Sequence, residues 1–140
     1  MAALTNHLES GLLNHLLRGV AYTPSSILYI GLIRNFNIEN IESGIIDEPS
    51  VGSYSRQSYI SNTNNWATPY GSGTAFATHN NIAIEFPIAT ANIGEVSGVF
   101  ISDSSSSGNI LFYSSLSNSR NIRQNDQFIM PSGALKITFN

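Results

Sequence analysis

The chain has 140 residues, enough for one domain with a hydrophobic core. It is 41% hydrophobic but only 11% charged, well below the roughly 25% of ordinary soluble domains, with Ser, Asn and Thr filling the difference. Six Lys and Arg against nine Asp and Glu leave a net charge of −3 without a basic cluster, which argues against a phosphate-tracking nucleic-acid groove. Cysteine is absent, so disulfides, thiolate nucleophiles and Cys-based zinc sites are excluded. No run approaches the ~20 apolar residues that cross a bilayer. The first residues lack the cationic start and unbroken apolar stretch of a signal peptide.

In chain order, residues 5–18 read as an amphipathic helix. Leu4, Leu8, Leu12 and Leu16 recur every four residues, and Leu13, Leu17 and Val20 widen the stripe. Thr5 suits the N-cap, and Arg18 followed by Gly19 suits the C-terminal end. The leucine face either closes one side of a β core or packs in part against another subunit. Residues 26–33, after a Pro-Ser-Ser breaker, read as a central strand. Residues 34–53 hold four of the nine acidic groups and form a long surface excursion, with a short helix near 38–43.

Residues 54–60 alternate as a strand, with Tyr54, Arg56 and Ser58 on one face. Residues 62–73 form a turn-rich loop carrying the single tryptophan, Trp66, beside Tyr70. Short strands follow at 74–78 and 82–86, the latter ended by Pro87, which cannot donate to a ladder. Residues 95–102 and 109–116 then form a hairpin. Asp103 opens its loop by bonding nearby backbone, and Gly108 closes it with a positive φ. Residues 120–123 read as a short strand or connector, 124–126 as a turn, 127–130 as extended, 131–133 as a turn and 134–139 as the last strand. The expected architecture is one domain, 1–140, mainly β. It comprises an N-terminal amphipathic helix (about 5–18) and an antiparallel β-sandwich or partly closed barrel of about eight strands (about 26–140).

No catalytic or metal motif emerges. His7 and His15 lie two helical turns apart, too far to chelate one metal, and His79 stands elsewhere. No serine sits in a Gly-x-Ser-x-Gly elbow. Glu85 and Glu95 supply two carboxylates, but Glu85 alternates with Ile84 and Phe86 as an outward strand residue does. The glycines of 71–73 and 94–98 lack the strand–helix setting of a phosphate loop. The expectation is a protein without catalytic residues, metal or cofactor. Its contact candidates are Leu8, Leu12, Tyr22, Trp66 and Tyr70, since aromatic and leucine side chains supply contact area at interfaces.

Several motifs give this reading a direction. The opening LTNHLESGLLNHLLRGVAYTPSSILYIGL, the segment GSYSRQ, the run IEFPIATANIGEVSGVFISDSSSSGNILFYSSL and the ending NDQFIMPSGALKITFN together span nearly the whole chain. In them the sequence resembles a family of small tailed-bacteriophage virion proteins often labelled phage tail fibre proteins. The family's A-T-A-x-W-G has Ile93 at the tryptophan position here. The resemblance implies a virion structural protein and brings no catalytic residue with it. The chain carries neither repeats nor heptads for a fibre shaft. The expectation is therefore a homo-oligomer, a trimer, that decorates or cements the capsid, with the major capsid protein, other virion proteins and its own copies as partners. The alternative is a tail or tail-fibre component that touches the host surface through the loop 62–73. In either location the protein is made in the host cytoplasm and has no nucleic-acid or membrane partner.

Overall fold

The structure, a computed structural model, describes residues 2–139 apart from the Ser72 side chain. In order its elements are β1 (Ala3–Leu4), α1 (Asn6–Leu17), β2 (Ile27–Ile33), α2 (Ile38–Glu42), β3 (Gln57–Ile60) and β4 (Tyr70–Ser72). After these come β5 (Ala75–His79), β6 (Ile84–Glu85), β7 (Gly94–Ser102), β8 (Ile110–Ile122), β9 (Ile129–Met130) and β10 (Lys136–Phe139). Five strands pair in the order β1-β8-β7-β2-β3, three in the order β10-β5-β4, and β6 pairs with β9. Every one of these ladders is antiparallel. The expected mainly β architecture with one N-terminal helix is present, and no barrel closes.

β2 lies inside the five-stranded sheet, between β7 and β3, and its unbroken apolar run reflects burial on both faces. Ile30, Leu32, Val99 and Ile101 point into the main core. There they meet Ile137 of the smaller sheet, Ile84 and Met130 of the two-stranded ribbon, and Phe86. The alternate residues Ile33 and Phe100 point the other way, into a second core completed by Phe36, Ile41 and Ile46 of the 34–53 excursion and by Tyr113. The excursion is thus a cover over the back of the sheet. Gly31 makes that packing possible, because a Cβ there would stand 2.3 Å from the Phe100 ring.

The helix starts at its expected cap. The Thr5 hydroxyl accepts from the Leu8 N–H at 3.3 Å and donates to the Ile110 carbonyl at 2.6 Å. One side chain therefore caps α1 and anchors it to β8. At the hairpin, the Asp103 carboxylate accepts from the Asn109 N–H (2.8 Å) and side-chain amide (2.9 Å). Gly108 has a φ of +72°, and a Cβ on it would lie 2.5 Å from that of Ser104, so both conformation and space demand glycine.

Other expectations need correcting. Among the described residues ten strands form rather than about eight: β1, two residues just ahead of the helix, and β4, which lies within the region 62–73 read as a loop, are too short to show in sequence alternation. Of the run 82–86 only Ile84–Glu85 is strand, and Ile82 is exposed. Strand β3 begins at Gln57, so Tyr54 and Arg56 precede it. The separate runs at 109–116 and 120–123 belong to one strand, β8, whose register against β7 slips. Val96 faces Arg120 while Gly98 faces Ser115, so Ser97 stands opposite the four residues 116–119.

Candidate functional site

Arg34, Glu42, Asp47 and Glu48 of the excursion are engaged inside the chain. Arg56, with a side chain only 6% exposed, holds the Glu48 carboxylate through Nε (3.0 Å) and Nη2 (3.0 Å). Its Nη1 donates to Ser102 Oγ (3.1 Å) and to the carbonyls of Ser104 and Ser107 (both 2.9 Å), and its guanidinium lies 4.9 Å from the centre of the Phe100 ring. Tyr54 donates its hydroxyl to the same Glu48 at 2.6 Å and accepts from the Leu32 N–H. Burial, reinforced by Glu48, pushes that hydroxyl far above the usual tyrosine range. The segment GSYSRQ is therefore a structural hub. Likewise Arg34 binds Asp47 at 2.6 Å, and this hydrogen bond holds the Asp47 carboxyl below its ordinary value. Glu42 accepts from the Tyr113 hydroxyl (2.9 Å) and from the Asn6 N–H (2.7 Å). Desolvation first and the Glu42 contact second push Tyr113 up to about 12.

Among the described residues no group of three His, Asp or Glu side chains is placed to hold a metal ion. Glu85 sits on the β6–β9 ribbon and Glu95 on the five-stranded sheet, both exposed. Surface features other than a reactive cluster remain.

The first is on α1. Leu8 is buried in the chain's own interior and Leu12 is half-buried, so these two contact candidates already serve the fold. Exposure concentrates instead on Leu13 (58%), Leu16 (74%), Leu17 (79%) and Val20 (50%). Leu13, Leu16 and Leu17, at i, i+3 and i+4, share one side of the helix, so its C-terminal half carries an uncovered apolar stripe, and Val20 follows just past the helix end. Tyr22 folds back under this half. Its ring fills the space beside Gly11, and its N–H donates to His15 Nδ1 at 3.2 Å. Burial, with Asp103 as a smaller cause, raises the Tyr22 hydroxyl pKa.

The second is a slot of about 200 Å³ between the two main sheets, with an entirely apolar accessible wall built by Pro69, Phe76, Phe112, Ile137 and Phe139. Phe76 is 64% exposed and Phe139 45%, and they face each other across the β5–β10 ladder. Tyr70 stands on the neighbouring strand, its ring against His79 and under the Lys136 ammonium (5.8 Å). Trp66 does not join it. The indole packs edge-on against Tyr59 at 5.2 Å as part of the main core's margin.

The third is a groove of about 790 Å³ created by the β7–β8 register slip. Asn35, Glu95, Ser97, Ser115 and Ser119 line it over the apolar floor of Phe36.

The leucine stripe was visible in the sequence, but its division into buried and open halves was not. Phe76 was passed over altogether. The only sign was a large apolar residue standing alone between alanines in a short strand.

The chain's accessible surface is 7993 Å². A folded monomer of 15.2 kDa is expected to expose only about 7,100 Å². A mainly β antiparallel fold that uses Arg34, Glu42, Glu48 and Arg56 in its own packing and leaves large apolar side chains outside has the character of a structural protein. Comparison with known families gives the same class. The family model described as Podophage GP4 fiber I protein gp80 matches residues 3–138, and the chain belongs to this family of phage fibre proteins. It is a virion structural protein, and the fibre description gives no support to the expected capsid cement role. No curated protein matches the chain.

Proposed function

We propose that the protein is a non-enzymatic tail-fibre component of a podophage-type virion, assembled as a homotrimer, with its outer face turned toward the host surface. The observation that carries the assembly is the open leucine stripe of α1 together with the exposed Phe76 and Phe139. Exposed apolar patches of this kind mark sites of protein contact. The fibre family supports the tail location over the capsid surface. Host contact falls to the serine- and amide-lined groove at the register slip rather than to the loop 62–73, because the Trp66 ring is held against Tyr59.

Antibody labelling of intact virions, read by electron microscopy, tests the location: label at the tail is expected. Saturable binding to genome-free capsids at a symmetry-related copy number would overturn it in favour of cement. Adsorption of the purified protein to host cells tests the groove. Ser119→Trp, which fills it, should abolish binding, whereas retained binding would remove the groove from the reading.

A further inference from the structure

We propose that the groove at the β7–β8 register slip is a carbohydrate site that takes an uncharged sugar ring and rejects acidic ones. The inference rests on the host-contact reading above and names the class of ligand at that site.

The floor of the groove is built into the fold. The Ser97 hydroxyl accepts from the Phe36 N–H at 2.9 Å and donates to the Arg34 carbonyl at 2.6 Å, which pins residues 34–36 to β7. Gly98 lets the Phe36 ring lie on the strand, because a Cβ there would stand 2.7 Å from it. Asn35 is held by its Nδ2 bond to Asp47 (2.5 Å), which leaves its side-chain carbonyl oxygen as an acceptor. Other polar groups of the lining are uncommitted. The Glu95 carboxylate and the Ser115 and Ser119 hydroxyls make no hydrogen bond with any described residue.

An aromatic ring among mixed donors and acceptors suits a sugar ring, whose C–H groups form an apolar face and whose hydroxyls each donate and accept. The volume of about 790 Å³ falls within the ~300–1,000 Å³ of small-molecule sites. Charge decides between sugars. The cation of the lining, Arg34, already holds Asp47 at 2.6 Å, whereas Glu95 has no ion-pair partner among the described residues. The unbalanced charge is therefore negative. It repels a sialate, uronate or phosphate group and accepts strong hydrogen bonds from sugar hydroxyls. A peptide fits less well, since peptide recognition uses a strand edge, an apolar cleft for anchors or an arginine cluster. This lining offers hydroxyls and a carboxylate around one ring.

The test is adsorption of the purified full chain to host cells, in competition with oligosaccharides released from the same cells. Anion exchange splits these into a neutral and an acidic fraction. The neutral fraction is expected to inhibit saturably and the acidic fraction to have no effect. Glu95→Ala, at an exposed position, should weaken binding of the labelled neutral fraction roughly tenfold or more, with unchanged circular dichroism showing that it folds. Glu95→Gln keeps an acceptor and loses the charge, so it should retain neutral binding and admit the acidic fraction. Equal inhibition of wild type by both fractions would overturn the charge selection. Neutral binding unchanged in Glu95→Ala would overturn the groove as the site. Adsorption that the neutral fraction does not inhibit would overturn the carbohydrate inference and leave the host-contact reading standing. No adsorption at all would instead overturn the host-contact reading, and the inference with it.

Discussion

Replacing Arg56 by alanine should be among the most damaging single changes in the chain. The side chain is 6% exposed and Glu48, its partner, 22%. Truncation leaves the Glu48 carboxylate with only the Tyr54 hydroxyl, strips the Ser107 carbonyl of its donor and leaves the Ser104 carbonyl with the Ser102 hydroxyl alone. Breaking a largely buried ion pair from one side costs about 3–5 kcal/mol, because the remaining charge is left desolvated and unpaired. Total stability for a domain of this size is about 5–15 kcal/mol, so the loss is a large fraction. With an unfolding entropy of ~2.1 cal/mol/K per residue, the melting temperature should fall by roughly 10–17 °C. Thermal unfolding followed by Trp66 fluorescence measures the shift, and urea unfolding by the same signal the free energy. Arg56→Lys should fall between wild type and alanine, since an ammonium cannot reproduce the fork that reaches Glu48, Ser102 and both carbonyls. The double variant Arg56→Ala/Glu48→Ala should lose less than the sum of the single changes, because the orphaned carboxylate has gone. A loss below ~1 kcal/mol in Arg56→Ala would refute the hub, since that is the range of an exposed pair.

Gly31→Ala should destabilise by about 1–3 kcal/mol or more through overpacking, because the new Cβ meets the Phe100 ring at 2.3 Å. The same denaturation assay reads it, and a neutral result would show that Phe100 can move aside. Thr5→Ala removes a helix cap and leaves the Ile110 carbonyl without its donor, so a loss of about 2–3 kcal/mol is expected, well above the ~1 kcal/mol typical of a cap alone. Asp47→Asn tests pH dependence. The folded carboxyl is held below its ordinary 3.8 by Arg34, so the unfolded chain binds more protons in that window. The contribution is therefore present above 3.8 and disappears as pH falls through the folded value. Because the pair is partly exposed, the difference from wild type should be only about 0.2–1 kcal/mol near neutrality. It should vanish below the folded value in urea titrations; a constant difference would refute the linkage.

The helix, its Thr5 cap, the central strand at Ile27–Ile33 and the Asp103-to-Gly108 hairpin were all legible from the residues. Each rests on groups a few positions apart, whose periodicity or backbone chemistry has one dominant solution. The contact surfaces were not. Whether a leucine of α1 is buried depends on how far the helix extends past β8, so Leu8 sinks while Leu16 and Leu17 stay open, although all three carry the same side chain. The polar groove exists only because β7 and β8 slip register at Ser97, which no alternation pattern announces. Arg56 reads as an ordinary strand residue until the fold brings it to Ser102, Ser104 and Ser107, 46 to 51 positions along the chain. Local order follows from neighbours in sequence, whereas exposure and pairing follow from which distant segments arrive to cover a face.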